Sequence, residues 1–150
     1  MVTKAQIDEF YVQSNIAIIG VSRNPKKFGY MVYKELKNKG YKVVPVNSNA
    51  DTIDDAVCYK SIDALPAEVT AAVVLTPKKG TLEAVQQLVQ KGIKQIWLQQ
   101  HSDTPEAKDF AMKNGVNLIY GQCIFMFSEP VVGFHKFHKT LKKLFGGLPK

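Results

Sequence analysis

Three times in this chain a helical stretch runs into a glycine and an apolar run begins at once: Lys39-Gly40-Tyr41, Lys91-Gly92-Ile93 and Asn114-Gly115-Val116. Glycine enters the left-handed conformation that closes a helix at little cost, so each junction reads as a helix stop followed directly by a strand. That recurrence admits few folds. Strands alternating with helices in this way pair in parallel through right-handed crossovers. The predicted strands are 15–20, 41–47, 71–76, 94–99 and 116–120, and the predicted helices are 29–39, 81–91 and 104–114. Ile16-Ala17-Ile18-Ile19 and Ala71-Ala72-Val73-Val74-Leu75 are apolar at successive positions, as in strands covered on both faces. Leu82, Val85, Leu88 and Val89 share one face of a helix. Thr104-Pro105 supplies a capping hydroxyl followed by proline at the first helical position. Pro45 removes a ladder donor and points to a strand near the sheet edge or its end. The expected class is α/β, a doubly wound and mostly parallel five-stranded sheet with helices on both faces. No linker divides it, so a single domain is expected over 1–150.

Other segments are less regular. Residues 3–12 form a leading helix by the spacing of Ile7, Phe10 and Tyr11. Cys58-Tyr59 is a very short strand, and 61–65 a single helical turn. Residues 130–145 read as a terminal helix that packs Phe134, Phe137, Leu141 and Leu144 against something apolar.

Composition limits the function classes. Of the net charge of +7, five lysines after Glu129 (Lys136, Lys139, Lys142, Lys143 and Lys150) supply +5, leaving +2 for the first 129 residues. A body that close to neutral is not a nucleic-acid binder by charge; only the tail would suit a nucleic acid or an anionic membrane. The plainer reading has the tail's Phe and Leu face dock on the sheet or on a second subunit, as in a homo-oligomer. No apolar run approaches the roughly 20 residues that span a bilayer. The start, Met1-Val2-Thr3-Lys4-Ala5-Gln6, lacks a signal-peptide core, and two cysteines are too few for a disulfide framework. A cytoplasmic protein is expected. His135 and His138 lie three apart with Glu129 the only adjacent acid, so they are expected to be helix-face residues and no metal site is expected.

In open parallel sheets ligands sit beyond the carboxyl ends of the strands, where strand order reverses. The loops to inspect are therefore 20–29, 47–51, 76–80, 99–103 and 121–124. The first is the richest. Gly20 stands at the strand exit, Ser22 offers a hydroxyl, Arg23, Lys26 and Lys27 are cationic, and Gly29 opens the helix. Exposed N–H groups and a helix N-terminus there favour an anion. The pattern is neither G-x-G-x-x-G nor a Walker sequence. A dinucleotide site usually places Asp or Glu at the end of the second strand; here Val46-Asn47-Ser48-Asn49 has no carboxylate before Asp51. A ligand with several phosphates suits Arg23, Lys26 and Lys27. His101 follows a strand end and is placed to meet a ligand, yet no nucleophile accompanies it.

The ordered runs IAIIGVS, KKFGYMVYKEL, KGYKVVPVN, AAVVLTP, KGIKQIWLQ and YGQC resemble the CoA-binding domain family, small stand-alone relatives of the N-terminal domain of the succinyl-CoA synthetase alpha subunit. The resemblance covers residues 15–123. It implies a Rossmann-like fold holding coenzyme A, or an acyl-CoA, across the carboxyl edge of the sheet. It implies that Gly20, Val21, Ser22 and Arg23, with Lys26, Lys27, Phe28, Gly29 and Tyr30, cradle the CoA phosphates. Val46, Asn47 and Ser48 would border the adenosine. Thr76, Pro77 and Lys78 would line the path of the pantetheine arm, with Gln99 and Cys123 further along. Family members often carry Pro where this chain has Ser48, and tend to carry Gly soon after Trp-Leu-Gln where it has Gln100-His101. The synthetase's phosphorylated His belongs to a second domain, so the resemblance implies binding without ligase chemistry. The alternatives on residues alone are an NAD(P)- or nucleotide-dependent enzyme using the same loop, and an interaction module acting through the basic tail.

Overall fold

A computed structural model describes residues 1–13 and 15–128. The helix expected at 130–145, with its histidines and lysines, lies outside the described residues. In chain order the elements are α1 (Lys4–Tyr11), β1 (Asn15–Ile19), α2 (Phe28–Asn38), β2 (Lys42–Val46), β3 (Thr52–Ile53), β4 (Ala56–Val57), β5 (Ala71–Val74), α3 (Lys78–Gln90), β6 (Gln95–Leu98), α4 (Pro105–Lys113) and β7 (Asn117–Ile119). A short 3-10 turn, Ile124–Met126, follows. The main sheet has the order β2-β1-β5-β6-β7, and every pairing in it is parallel. The Rossmann-like, doubly wound architecture is the one expected.

Side-chain alternation explains why both faces are covered. Along β1, Ile16 and Ile18 enter the core layer that holds Ile7, Phe10, Val32 and Leu36 of α1 and α2. Ala17 and Ile19 enter the opposite layer with Ala84, Val85 and Leu88 of α3 and Ala107 and Ala111 of α4. The β5 residues Ala71, Val73, Ala72 and Val74 divide in the same way. Trp97 of β6 is fully buried in the first layer, with the rings of Phe10 and Tyr11 edge-on at 5.5 and 5.8 Å. The leading helix is therefore a lid on that layer. Its start is a capping box, in which Gln6 N–H donates to Thr3 Oγ1 at 3.2 Å and Thr3 N–H donates to Gln6 Oε1 at 2.9 Å.

The three helix stops close as the junctions require. Tyr41, Ile93 and Val116 donate back to Leu36, Leu88 and Ala111 at 3.2, 3.0 and 3.1 Å. Each of these six-to-one bonds satisfies a carbonyl that the helix end would leave unpaired. Pro45 sits in β2, an edge strand. Its carbonyl accepts from Tyr59 N–H at 2.9 Å on the side away from β1, so the missing proline N–H also faces outward and breaks no rung with β1.

Several details differ from expectation. Residues 52–57 form an antiparallel hairpin that periodicity did not reveal, because each strand is only two residues long. Its loop residues Asp54 and Asp55 both have positive φ, 48° and 65°, the geometry of a two-residue hairpin turn. Tyr59 makes an isolated parallel bridge to Val46 rather than a strand with Cys58. The helical turn expected at 61–65 is a turn closed by Leu65 N–H on the Ile62 carbonyl at 3.1 Å. Helix α3 begins at Lys78, three residues before the predicted start, because Pro77 serves as its N-cap and the Lys-Lys-Gly opening carries no apolar periodicity.

The hairpin is tied to α2 by Asp54, which accepts from Tyr30 Oη at 2.8 Å and from Lys34 Nζ at 2.8 Å. Lys34 foremost, and Tyr30 with it, hold the Asp54 carboxyl below its ordinary value. A carboxyl depressed in the folded state adds stability above the ordinary carboxylate range and loses it as pH falls through the depressed value. Urea denaturation followed from pH 6 to pH 3 is expected to show this acid loss, and Asp54→Asn is expected to shallow it. Leu88→Ala, at a fully buried α3 position, is expected to lower unfolding free energy by about 2–5 kcal/mol in the same assay. The half-buried Leu82→Ala costs less.

Candidate functional site

Chain leaving β1 turns through α2 to β2 on one side, whereas chain leaving β5 goes through α3 to β6 on the other. The crevice between those two exits is the switch point of the sheet, where ligands bind in this architecture. At the exit of β1, Gly20 has φ +91°, and a Cβ there would lie 3.3 Å from the Leu75 carbonyl carbon. A Cβ on Gly29 would come within 2.7 Å of the Gly20 carbonyl oxygen and 3.3 Å of Val21 Cα. Both contacts are with backbone, which cannot swing aside. Glycine at 29 therefore lets the first turn of α2 seat directly on the end of β1.

The intervening loop is held by its own polar groups. Asn24 N–H donates to Ser22 Oγ, Lys26 N–H to Asn24 Oδ1 and Lys27 N–H to the Asn24 carbonyl, each at 3.0 Å. Lys27 is the N-cap of α2, no side chain caps it, and the first turn carries no acid. The first N–H groups of α2 are left for an anion, with Arg23, Lys26 and Lys27 exposed around them. Asn47 connects the β2 exit to this loop: its Nδ2 donates to the Val21 carbonyl at 2.7 Å, and its Oδ1 accepts from Asn49 N–H at 2.8 Å. Beyond it, Lys60 and, less strongly, Arg23 hold the Asp51 carboxyl below its ordinary value.

A cleft of about 310 Å³ runs from Gly20, Phe28 and Gly29 past Leu75, Thr76 and Pro77 to Gln99, Gln100, His101 and Ser102. Its floor is a hydroxyl network. Ser102 Oγ donates to the Thr76 carbonyl at 2.7 Å, and the buried Thr81 Oγ1 donates to the Ser102 carbonyl at 2.6 Å while lying 3.2 Å from Thr76 Oγ1. The β5 and β6 exits are thereby locked together. Gln99 is buried, and its Oε1 accepts from Ile124 N–H at 3.0 Å, which orients the amide so that its NH2 is the remaining donor. Phe28 meets Phe125 edge-on at 5.2 Å.

Of the residues predicted for the site, Gly20, Phe28, Gly29, Thr76, Pro77 and Gln99 line this cleft together. Ser22, Arg23, Lys26 and Lys27 belong to the loop at its first end. Val21 and Val46 turn their side chains into the core and offer only backbone. Asn47 acts as a brace, and Ser48 is exposed at the β2 exit. Tyr30 is directed elsewhere, with its hydroxyl on Asp54, and Lys78 is exposed at the start of α3. Cys123 is buried in the core at the start of the 3-10 turn and does not line the cleft. Burial pushes the Cys58 thiol up, as expected of an inert cysteine. Leu75, Gln100 and Ser102 line the cleft without having been assigned to it; a leucine ending a strand and a lone serine carry no chemical signature. His101, which lines the cleft, has φ +72°, in the left-handed region that favours glycine. Among the described residues there is no cluster of three or more metal-ligating side chains, and no helix is long and apolar enough to cross a membrane.

Residues 14–129 match a family described as CoA binding domain. The alpha subunit of ADP-forming acetate–CoA ligase II from Pyrococcus furiosus is 32% identical over 129 residues, covering 79% of this chain and 28% of that subunit. ADP-forming acetate–CoA ligase II from Archaeoglobus fulgidus is 43% identical over 89 residues, covering 58% of this chain and 13% of the ligase. The chain thus spans less than a third of either ligase protein. A hypothetical protein from Pyrococcus horikoshii superimposes with a TM-score of 0.81 at 28% identity, covering 88% of this chain and 94% of that one.

Gly29→Ala is expected to destabilise the fold by about 1–3 kcal/mol, because the new methyl meets backbone on both sides. Chemical denaturation checks it. His101→Gly is expected to act in the opposite direction, raising stability by up to about 1 kcal/mol through relief of the left-handed backbone.

Proposed function

The chain belongs to the CoA binding domain family, and on that footing we propose that it binds coenzyme A or an acyl-CoA along the carboxyl edge of its sheet. The observation that carries this reading is the uncapped N-terminus of α2, seated on the end of β1 through Gly29 and preceded in its loop by the exposed Arg23, Lys26 and Lys27. Such a terminus presents backbone donors and a positive dipole end to phosphate oxygens. Three cations with the terminus suit several phosphates better than one. In this reading the diphosphate rests on loop 20–29, and the adenosine turns toward Asn47 and Ser48. The pantetheine arm follows the cleft past Thr76 and Pro77 to Gln99.

The protein's own work is then holding rather than transforming. Loop 20–29 neutralises phosphate charge, Phe28 and Pro77 give the arm apolar walls, and the Thr76–Thr81–Ser102 network keeps those walls from moving apart. The ligase relatives, by their names, join acetate to CoA; to this chain we assign the CoA-holding part and no ligase step. An NAD(P)-dependent reading is less well supported, because the β2 exit has no carboxylate for a ribose and the Asn47 amide is already engaged by Val21 and Asn49.

Calorimetric titration with CoA under reducing conditions, with NAD, NADP and ADP as controls, tests the proposal. Selective CoA binding is expected; binding of NAD or NADP without CoA would move the protein into the enzyme class. Arg23→Ala, Lys26→Ala and Lys27→Ala are each expected to weaken CoA binding by about 1–3 kcal/mol. Unchanged affinity in the triple variant would remove the loop from the site.

A further inference from the structure

The far end of the cleft holds a feature that phosphate and arm binding leave unexplained. His101 keeps φ at +72° without being glycine, and its neighbours are tied down. Gln100 Nε2 donates to the Gly121 carbonyl at 3.3 Å, and Ser102 is fixed through its N–H to the Gln99 carbonyl at 2.9 Å and through Oγ to the Thr76 carbonyl at 2.7 Å. Strain of this kind persists only where the surroundings over-determine it, and it gathers at ligand clamps. The residue so held is exposed at the rim of the cleft, which it lines beside Gln99 and Ser102. Among the described residues none hydrogen-bonds its imidazole.

Position assigns this imidazole to one end of the ligand. Gly20 follows β1 and Gln99 follows β6, two strands away, or about 10 Å along the sheet edge. Phosphates held at loop 20–29 therefore leave an arm whose distal segment reaches His101. In free CoA that segment is a thiol, a weak acceptor. In an acyl-CoA it is a thioester, whose carbonyl oxygen accepts a hydrogen bond from an imidazole N–H. Gln99 stands just before it with its amide NH2 as a second donor, since its Oε1 is taken by Ile124. The end of the cleft thus presents donors where the two ligand forms differ by an acceptor.

We propose that His101 is a specificity-determining residue that donates to the thioester carbonyl and so selects acyl-CoA over free CoA. The inference rests on the coenzyme A reading above. Calorimetric titration of the full chain with CoA and with acetyl-CoA tests it. Acetyl-CoA is expected to bind about 2–10-fold more tightly, the range of one neutral hydrogen bond. In His101→Gly, which keeps the backbone conformation without strain, the loss is expected to fall on acetyl-CoA more than on CoA and to bring the ratio close to one. His101→Asn tolerates the left-handed region and retains an N–H donor, so it is expected to restore part of the preference. Equal affinity of the unaltered chain for both ligands, or an unchanged ratio in His101→Gly, overturns the assignment while CoA binding stands. If the unaltered chain binds neither ligand, the coenzyme A reading fails and this assignment fails with it.

Discussion

The contact between Gly29 and the carbonyl of Gly20 sets the position of everything at the carboxyl edge. A methyl group at residue 29 would lie 2.7 Å from that oxygen, so α2 sits where it does only because nothing projects from its first turn. That seating brings the helix's unsatisfied N–H groups to the end of β1, beside the crevice where strand order reverses. One backbone approach therefore fixes where the uncapped start of α2 meets the carboxyl edge of the sheet.

The rest of the edge is rigid for a related reason. Each strand exit is bonded to a neighbouring exit rather than left as an independent loop. Asn47 braces the first loop from β2, Ser102 and Thr81 couple the β6 and β5 exits, and Ile124 grips Gln99 from the turn after β7. Buried hydroxyl and amide groups must find partners, and here the partners are the carbonyls and N–H groups of other loops. Satisfying those groups and fixing the shape of the cleft are the same event.

Much of the molecule was legible in the residues, and where it was not the reason is physical. Runs apolar at every position and helices ended by glycine are strong local signals, and all five strands of the main sheet appear where those signals lie. The β3–β4 hairpin escaped because two-residue strands show no period and its turn uses Asp-Asp instead of the glycine-containing pairs favoured there. The start of α3 escaped because Lys78, Lys79 and Gly80 carry no apolar periodicity. Of the residues that loop position and resemblance single out, Gly20, Phe28, Gly29, Thr76, Pro77 and Gln99 line one cleft. Tyr30 and Cys123 share that resemblance but turn elsewhere, toward Asp54 and into the core.

By itself the sequence determined the order of elements, their parallel pairing and the loop rich in glycine and cations, because these follow from local conformational preference and the burial of contiguous apolar runs. Which side chains face one another depends on register and on the paths of separate loops. The tertiary structure alone decided that Ser102 meets Thr76, that Gln99 is gripped by Ile124, and that His101 takes a glycine's conformation at the rim of the cleft. Those contacts join residues 26 and 25 positions apart or depend on a backbone angle, and neither quantity is written in the spacing of residues along the chain.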